Sequence, residues 1–204
     1  MNKVMKMWML AAILICSASL VGCGNKNAKP TENNAQTETP TQTEVVATEV
    51  ATCYTAVDDY LVNEIGKNYV QSDVCIPYAY VISADEGNPD DILVWGDFWV
   101  FNYEISGDTL KTASGGNHPG LMHVKKTNVG YEVTGFDAVV DGAGNLESAK
   151  QIFGDKFDVY QEFSSAAEKR EMERLRFTAD YVKKHDMSVT LLQDYGWPAV
   201  ELPQ

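Results

Sequence analysis

The longest run rich in aromatic and β-branched residues after the N-terminal segment, Ile92-Leu-Val-Trp-Gly-Asp-Phe-Trp-Val-Phe-Asn-Tyr-Glu-Ile105, constrains this chain more than any other stretch. Side chains of that kind pack well on a pleated surface and lose rotamer freedom in a helix, so the run is read as the central strand of a sheet. Strand side chains alternate between faces. Trp95, Asp97, Trp99, Phe101, Tyr103 and Ile105 therefore share one side, and Val94, Gly96, Phe98 and Val100 the other. Both sides are apolar, and each requires a layer packed against it.

The flanking segments supply those layers. Thr55 to about Val70 carries Val57, Tyr60, Leu61, Ile65 and Tyr69 at spacings of three and four, the stripe of an amphipathic helix. Ile76 to Ala84 is read as a strand with Pro77 near its start, and Asp85 to Asp91 as the turn into the central strand. Ser106-Gly107-Asp108 signals a hairpin, with Thr109 to Ala113 pairing back across it. Ser114-Gly-Gly-Asn-His-Pro-Gly120 is read as a flexible loop, followed by strands at Leu121 to Thr127 and Tyr131 to Val140. Turns this short make an antiparallel meander.

After the Asp141-Gly142 turn, Leu146 to Phe153 is read as a short helix and Asp158 to His185 as one long helix, whole or broken. Its candidate core residues are Val159, Phe163, Ala166, Ala167, Leu175, Ala179 and Val182, and Glu168 to Arg174 is read as a solvated charged face. Ser188 to Gln204, with Leu191, Leu192, Tyr195 and Trp197, is expected to pack on the domain. The fold class is α+β: an N-terminal helix on a curved antiparallel sheet of four to five strands, with a C-terminal helix.

The N-terminus carries an address. Lys3 and Lys6 precede the apolar run Met7 to Cys16, which is too short to span a bilayer and ends in small residues, the pattern of a signal peptide over residues 1–22. Leu20-Val21-Gly22-Cys23 resembles the lipobox of bacterial lipoproteins, which implies acylation of Cys23 and an extracytoplasmic, lipid-anchored protein. Residues 23–51 are Asn, Thr, Gln, Glu and Pro with few large apolar side chains, the composition of a disordered tether, and residues 52–204 form the domain.

Of the four cysteines, Cys16 leaves with the signal and Cys23 takes the lipid, so Cys53 and Cys75 remain as a candidate disulfide. The formal charge of −13 becomes more negative once Lys3 and Lys6 are removed, which argues against nucleic acid as a partner.

The order of elements resembles the cystatin-like fold of the nuclear-transport-factor-like superfamily. Ser114-Gly-Gly-Asn-His-Pro-Gly120, Tyr131-Glu-Val-Thr-Gly-Phe136, Asp141-Gly142 and Ala149-Lys-Gln-Ile-Phe153 are similar to segments of uncharacterised lipoproteins of Gram-positive bacteria and of extracellular parts of sensor-type membrane peptidases. The resemblance covers about Cys53 to Phe153, and the C-terminal helix and Trp197 tail depart from the smallest members. The superfamily holds isomerases and cyclases with a cone-shaped pocket beside members that only bind or dimerise, so fold does not fix function.

Tyr80, Asp97, Trp99, Tyr103 and His123 are the candidate pocket residues. A carboxyl among aromatics has its pKa raised and suits proton transfer, and the tyrosines and histidine would add hydrogen-bond donors. The competing reading is that Asp97 bonds backbone at a bulge beside Gly96 and the tyrosines are core. No catalytic residue is assigned. No Gly-x-Ser-x-Gly, phosphate-binding Gly-rich loop or His-Glu-x-x-His pattern is present, and Asp137 to Ser148 lacks the oxygen ligand and final glutamate of a calcium loop. His118 and His123 have no spacing that makes a metal pair, and no cofactor is expected. The leading expectation is a non-catalytic module at the cell envelope, anchored to the membrane through Cys23 and binding a small molecule, peptide or envelope protein. The alternatives are a small isomerase or cyclase-type enzyme using Asp97, and a domain that only forms homodimers.

Overall fold

The computed structural model describes residues 52–204, which lie within one compact unit; the signal segment, Cys16, Cys23 and the tether fall outside the described residues. A curled sheet of six strands runs β1 (Val74–Asp85), β2 (Ile92–Ser106), β3 (Thr109–Thr127), β4 (Gly130–Ala138), β5 (Leu191–Gln193) and β6 (Val200–Glu201). β1 to β4 form the antiparallel meander. β5 departs from it, pairing parallel to β3 through Leu110 and Leu192, because the chain returns to the sheet by a long helical crossover.

The helices are α1 (Cys53–Tyr60), α2 (Asn145–Phe153), α3 (Phe157–Ser165) and α4 (Ala167–Lys184). Thr52 and Thr55 cap α1 reciprocally, so it begins two residues before its apolar periodicity does, and it continues as a π turn at Leu61–Ile65 and a tight 3₁₀ turn at Gly66–Asn68. The long C-terminal helix is broken at Ala166, whose ψ of 76° is not helical; the Ser164 and Ser165 hydroxyls bond back to Gln161 and Glu162 carbonyls just before the break. Among the described residues no helix is long and apolar enough to cross a membrane.

Both faces of β2 are covered, as its alternation requires. Val94 and Phe98 pack with Val57 of α1 and Leu61 of the π turn that follows it, together with Met122 and Val124 of β3. Trp99 and Tyr103 pack with Phe163 of α3, Phe177 and Val182 of α4, and Leu192 and Leu202 of the C-terminal segment. Tyr195 and Trp197, at the turn before β6, are exposed.

Three expectations are corrected. Ser114 to Gly120 is not a loop but the middle of β3, and its glycines answer to crowding: a Cβ at Gly115 would lie 2.5 Å from the Val100 carbonyl oxygen, and one at Gly120 would lie 2.3 Å from that of Asp137. Val159 and Ala167 are exposed rather than core. The charged stretch Glu168 to Arg174 is not wholly solvated, because Arg174 is buried and Arg170 is half-buried. Cys53 and Cys75 are both free thiols in this structure: Cys53 belongs to the α1 cluster, whereas the Cys75 sulfur faces Gly66.

Candidate functional site

Tyr80, Asp97, Trp99 and Tyr103 do lie on one face of the sheet, but the helices cover them. Tyr80 stacks on Phe163 at 3.5 Å between ring centroids, Trp99 is 2% exposed, and Asp97 and Tyr103 are fully buried. Desolvation pushes the Tyr103 hydroxyl up to about 12. His123 is not among them. Four positions along β3 from Pro119, the partner of Asp97, it bonds Asp91 at 2.8 Å and Asp137 at 3.4 Å, joining the β1–β2 turn to β4. His118 pairs with the Tyr69 hydroxyl at 3.0 Å, and burial holds its pKa below the usual value. His185 ends α4 and stacks on Tyr181. Among the described residues no three His, Cys, Asp or Glu side chains gather as a metal ion would require.

Asp97 itself is held by few partners. The Asn117 amide donates to its Oδ1 at 3.2 Å, and the Arg170 guanidinium stands 3.5 Å from Oδ2. Burial raises its carboxyl pKa; Trp99, Arg170 and Asn117 oppose that without reversing it. The Trp99 indole N–H faces the carboxyl on the same strand but has no hydrogen bond of good geometry, and Asp97 Oδ2 and Arg170 Nε are likewise unpartnered.

Beside this corner, between the sheet and the first turns of α4, opens a cleft of ≈ 390 Å³. Trp99 and Phe101 make its floor, Thr112 and Asn117 of β3 one wall, and Arg170, Glu171 and Arg174 of α4 the other. The cleft exists because β3 has no strand partner on its outer side between Lys111, which pairs β5, and Gly120, which pairs β4. Arg170 lies 5.4 Å from the Trp99 ring centre and Arg174 5.3 Å from that of Phe101, both within cation–π range. Arg174 is held from two sides, by Glu171 and by Asp194, which also accepts from the Thr112 hydroxyl at 2.6 Å. Against the pull of burial, these bonds lower the Asp194 pKa and raise that of Arg174.

Arg170, Arg174, Asn117, Thr112 and Asp194 were not singled out from sequence. A signal existed: Arg170 and Arg174 are four apart and continue, toward the N-terminus, the face of α4 that buries Phe177. A larger groove of ≈ 640 Å³ follows the outer edge of β1 between α1 and α4, past Asp59, Tyr78 and Asp180. None of the unpartnered buried polar atoms belongs to its lining, whereas two of them, on Trp99 and Arg170, belong to residues of the cleft. A buried polar group without a partner is costly, and a ligand that satisfies it recovers that cost. The cleft is therefore the candidate site.

No family model matches the chain, and no curated protein and no solved structure matches it.

Proposed function

We propose that this protein is an extracytoplasmic lipoprotein, tethered to the membrane through acylated Cys23, whose domain binds a small organic molecule in the cleft between β2, β3 and α4. The observation that carries the binding reading is an apolar Trp99–Phe101 floor beneath buried, incompletely bonded polar groups, the composition of ligand pockets generally. The lipobox and the polar stretch after it carry the anchoring reading. The curled α+β sheet is compatible with the cystatin-like, nuclear-transport-factor-like superfamily, and we place the chain there, with the uncharacterised lipoproteins it resembles. Binding is favoured over acid–base catalysis because Asp97, the one raised carboxyl on this face, is fully buried and does not border the cleft.

The experiment is a fragment screen on the full chain in non-ionic detergent, labelled with ¹⁵N, using neutral, cationic and anionic fragments. The chain has four tryptophans, so indole N–H signals are few, and a Trp99→Phe variant identifies the one in the cleft. Fragments that move the Trp99 signal support the reading; a set that moves none of the cleft residues overturns it. For the anchor, cells expressing the chain incorporate labelled fatty acid, and Cys23→Ala abolishes incorporation. Equal labelling of the variant refutes the lipid anchor.

A further inference from the structure

We infer that the groove along the outer edge of β1 receives a short extended peptide, apolar on one face and carrying Lys or Arg on the other, which adds to the sheet as a further strand. The slot for that strand is already built. α1 and the π turn after it cover the sheet face of Ala79, Val94 and Phe98, and α4 covers the opposite face, that of Tyr78, Trp99 and Tyr103. Both helical layers run on past β1. Asp59 and Val62 wall the groove on one side, Phe177 and Tyr181 on the other, and Cys75 and Pro77 of β1 lie between them. A strand set there, ~4.8 Å beyond β1, has both of its faces covered.

β1 supplies the backbone half of the ladder. Among the described residues it pairs with β2 alone and makes no other backbone hydrogen bond, so one edge of a 12-residue strand is left to the groove. Exposed edges are ordinarily blunted against open-ended pairing. Here Pro77 withholds one N–H and the register shift between Val81 and Ser83 interrupts the strand, which limits what can join to a few residues. The edge also lies between two helical layers, so a single strand reaches it where the edge of another folded sheet would meet α1 and α4 first. Main-chain bonding along such an edge, with side chains read on alternate faces, is a general mode of peptide recognition.

Charge selects the sequence. Asp58, Asp59 and Asp180 line the groove against one lysine, Lys184, with His185 beside it. Asp180 is engaged by Arg176 at 2.9 Å, whereas Asp59 is exposed and has no ion-pair partner among the described residues. A Lys or Arg on the incoming strand supplies that partner, its aliphatic stem lying along Val62 with the charged head at Asp59. The alternate side chains then fall against Phe177 and Tyr181. An acidic peptide is repelled, and so is the equally acidic groove of a second copy. The formal charge of −13 extends the same preference to the approach of the peptide.

The test titrates the full chain, ¹⁵N-labelled and in non-ionic detergent, with the peptide acetyl-Val-Lys-Val-Thr-Val-Lys-Val-amide, its Lys-to-Glu counterpart, and two N-methylated forms of the lysine peptide, one methylated at every Val and the other at every Lys and Thr. The lysine peptide is expected to shift the amide signals of β1 between Cys75 and Val81 and to leave those of β4 in place. The glutamate peptide should need roughly tenfold more, or fail to shift them. Alternate N–H groups of an added strand face its neighbour, so one N-methylated form should lose binding by about tenfold or more and the other should keep it. Val62→Trp fills the slot and should abolish the shifts with the circular dichroism unchanged. Should that variant misfold, Asp59→Lys at an exposed position carries the test: it should weaken the lysine peptide several-fold and strengthen the glutamate peptide. Equal binding of the lysine and glutamate peptides would overturn the basic partner. Loss in both N-methylated forms, or in neither, would overturn strand addition, and no β1 shift with any peptide would overturn the site. Dimerisation of the full chain that Val62→Trp abolishes would give the groove to a second copy instead. None of these outcomes reads the Trp99 signal, so the groove and the cleft stand or fall separately.

Discussion

Arg174 and Asp194 join the crossover helix to the end of β5: Nη1 donates to Oδ1 at 3.0 Å while Nη2 reaches Oδ2, and the arginine is buried in the sheet-facing side of α4. This pair holds the far wall of the cleft and closes the only parallel strand pairing among the described residues. Asp194→Ala leaves a buried guanidinium with Glu171 alone, and it should cost about 1–3 kcal/mol in urea unfolding, the scale of an unsatisfied buried charged group tempered by the partial exposure of Asp194. The pair also has a pH signature. Because the folded Asp194 pKa lies below its unfolded value near ~3.9, its contribution is present above that pH and is lost as pH falls through the folded pKa. Below that window the variant and the parent should converge.

Gly120→Ala should destabilise by about 3 kcal/mol, the upper end for overpacking, because its Cβ would sit 2.3 Å from the Asp137 carbonyl oxygen and 2.7 Å from the Phe136 ring. Gly135→Ala, on the neighbouring strand with nothing nearer than 3.7 Å, is the matched control and should change stability by less than about 0.5 kcal/mol. Equal effects at both positions, measured by thermal unfolding, would show that backbone freedom rather than crowding sets the requirement for glycine.

That contrast shows where sequence was readable. Ile92 to Ile105 declared a strand and both of its faces, because alternation over so many large residues has no helical equivalent. The Gly107 turn was equally plain, since its φ of +64° sits at the first central position of a two-residue hairpin. Ser114 to Gly120 was misread because a glycine required by close backbone contact looks the same as one that supplies flexibility. The site was half legible. Trp99 and Asp97 follow from strand parity, but the arginines that complete the cleft sit in a run of alternating charges, and their inward turn depends on where the sheet lies. His123 shares strand parity with Asp97 yet ends near Asp91 and Asp137, a distance that parity does not encode.

His123 bridges two carboxylates on the surface of the sheet. Burial lowers its pKa, but the hydrogen bonds its ring nitrogens donate to Asp91 and Asp137 outweigh it and leave the folded value above the ordinary 6.5. A raised folded pKa means the contribution is fully present below about 6.5 and is lost as pH rises through the folded value. His123→Gln should therefore be less stable than the parent at pH 5.5, by about 0.5 kcal/mol given the exposure of both acids, and nearly equal to it at pH 8. A pH-independent difference would show that the ring acts through packing alone.

Asp97→Asn tests why a carboxyl is buried beside the cleft. Desolvation is the largest influence on Asp97, and it raises the folded pKa above the unfolded ~3.9. By linkage, the parent's stability relative to a non-titrating residue is greatest below that pH and declines as pH rises through the folded pKa. Asparagine can still accept the Asn117 amide bond that Oδ1 accepts at 3.2 Å, and half-buried Arg170 can turn to solvent when its 3.5 Å neighbour loses its charge. The variant should then match or exceed the parent at pH 7.5, by up to about 1 kcal/mol, and lose that advantage at pH 4, read from urea midpoints at both pH values. A variant that is destabilised at pH 7.5 would instead make the ionised Asp97–Arg170 pair a structural support of the cleft.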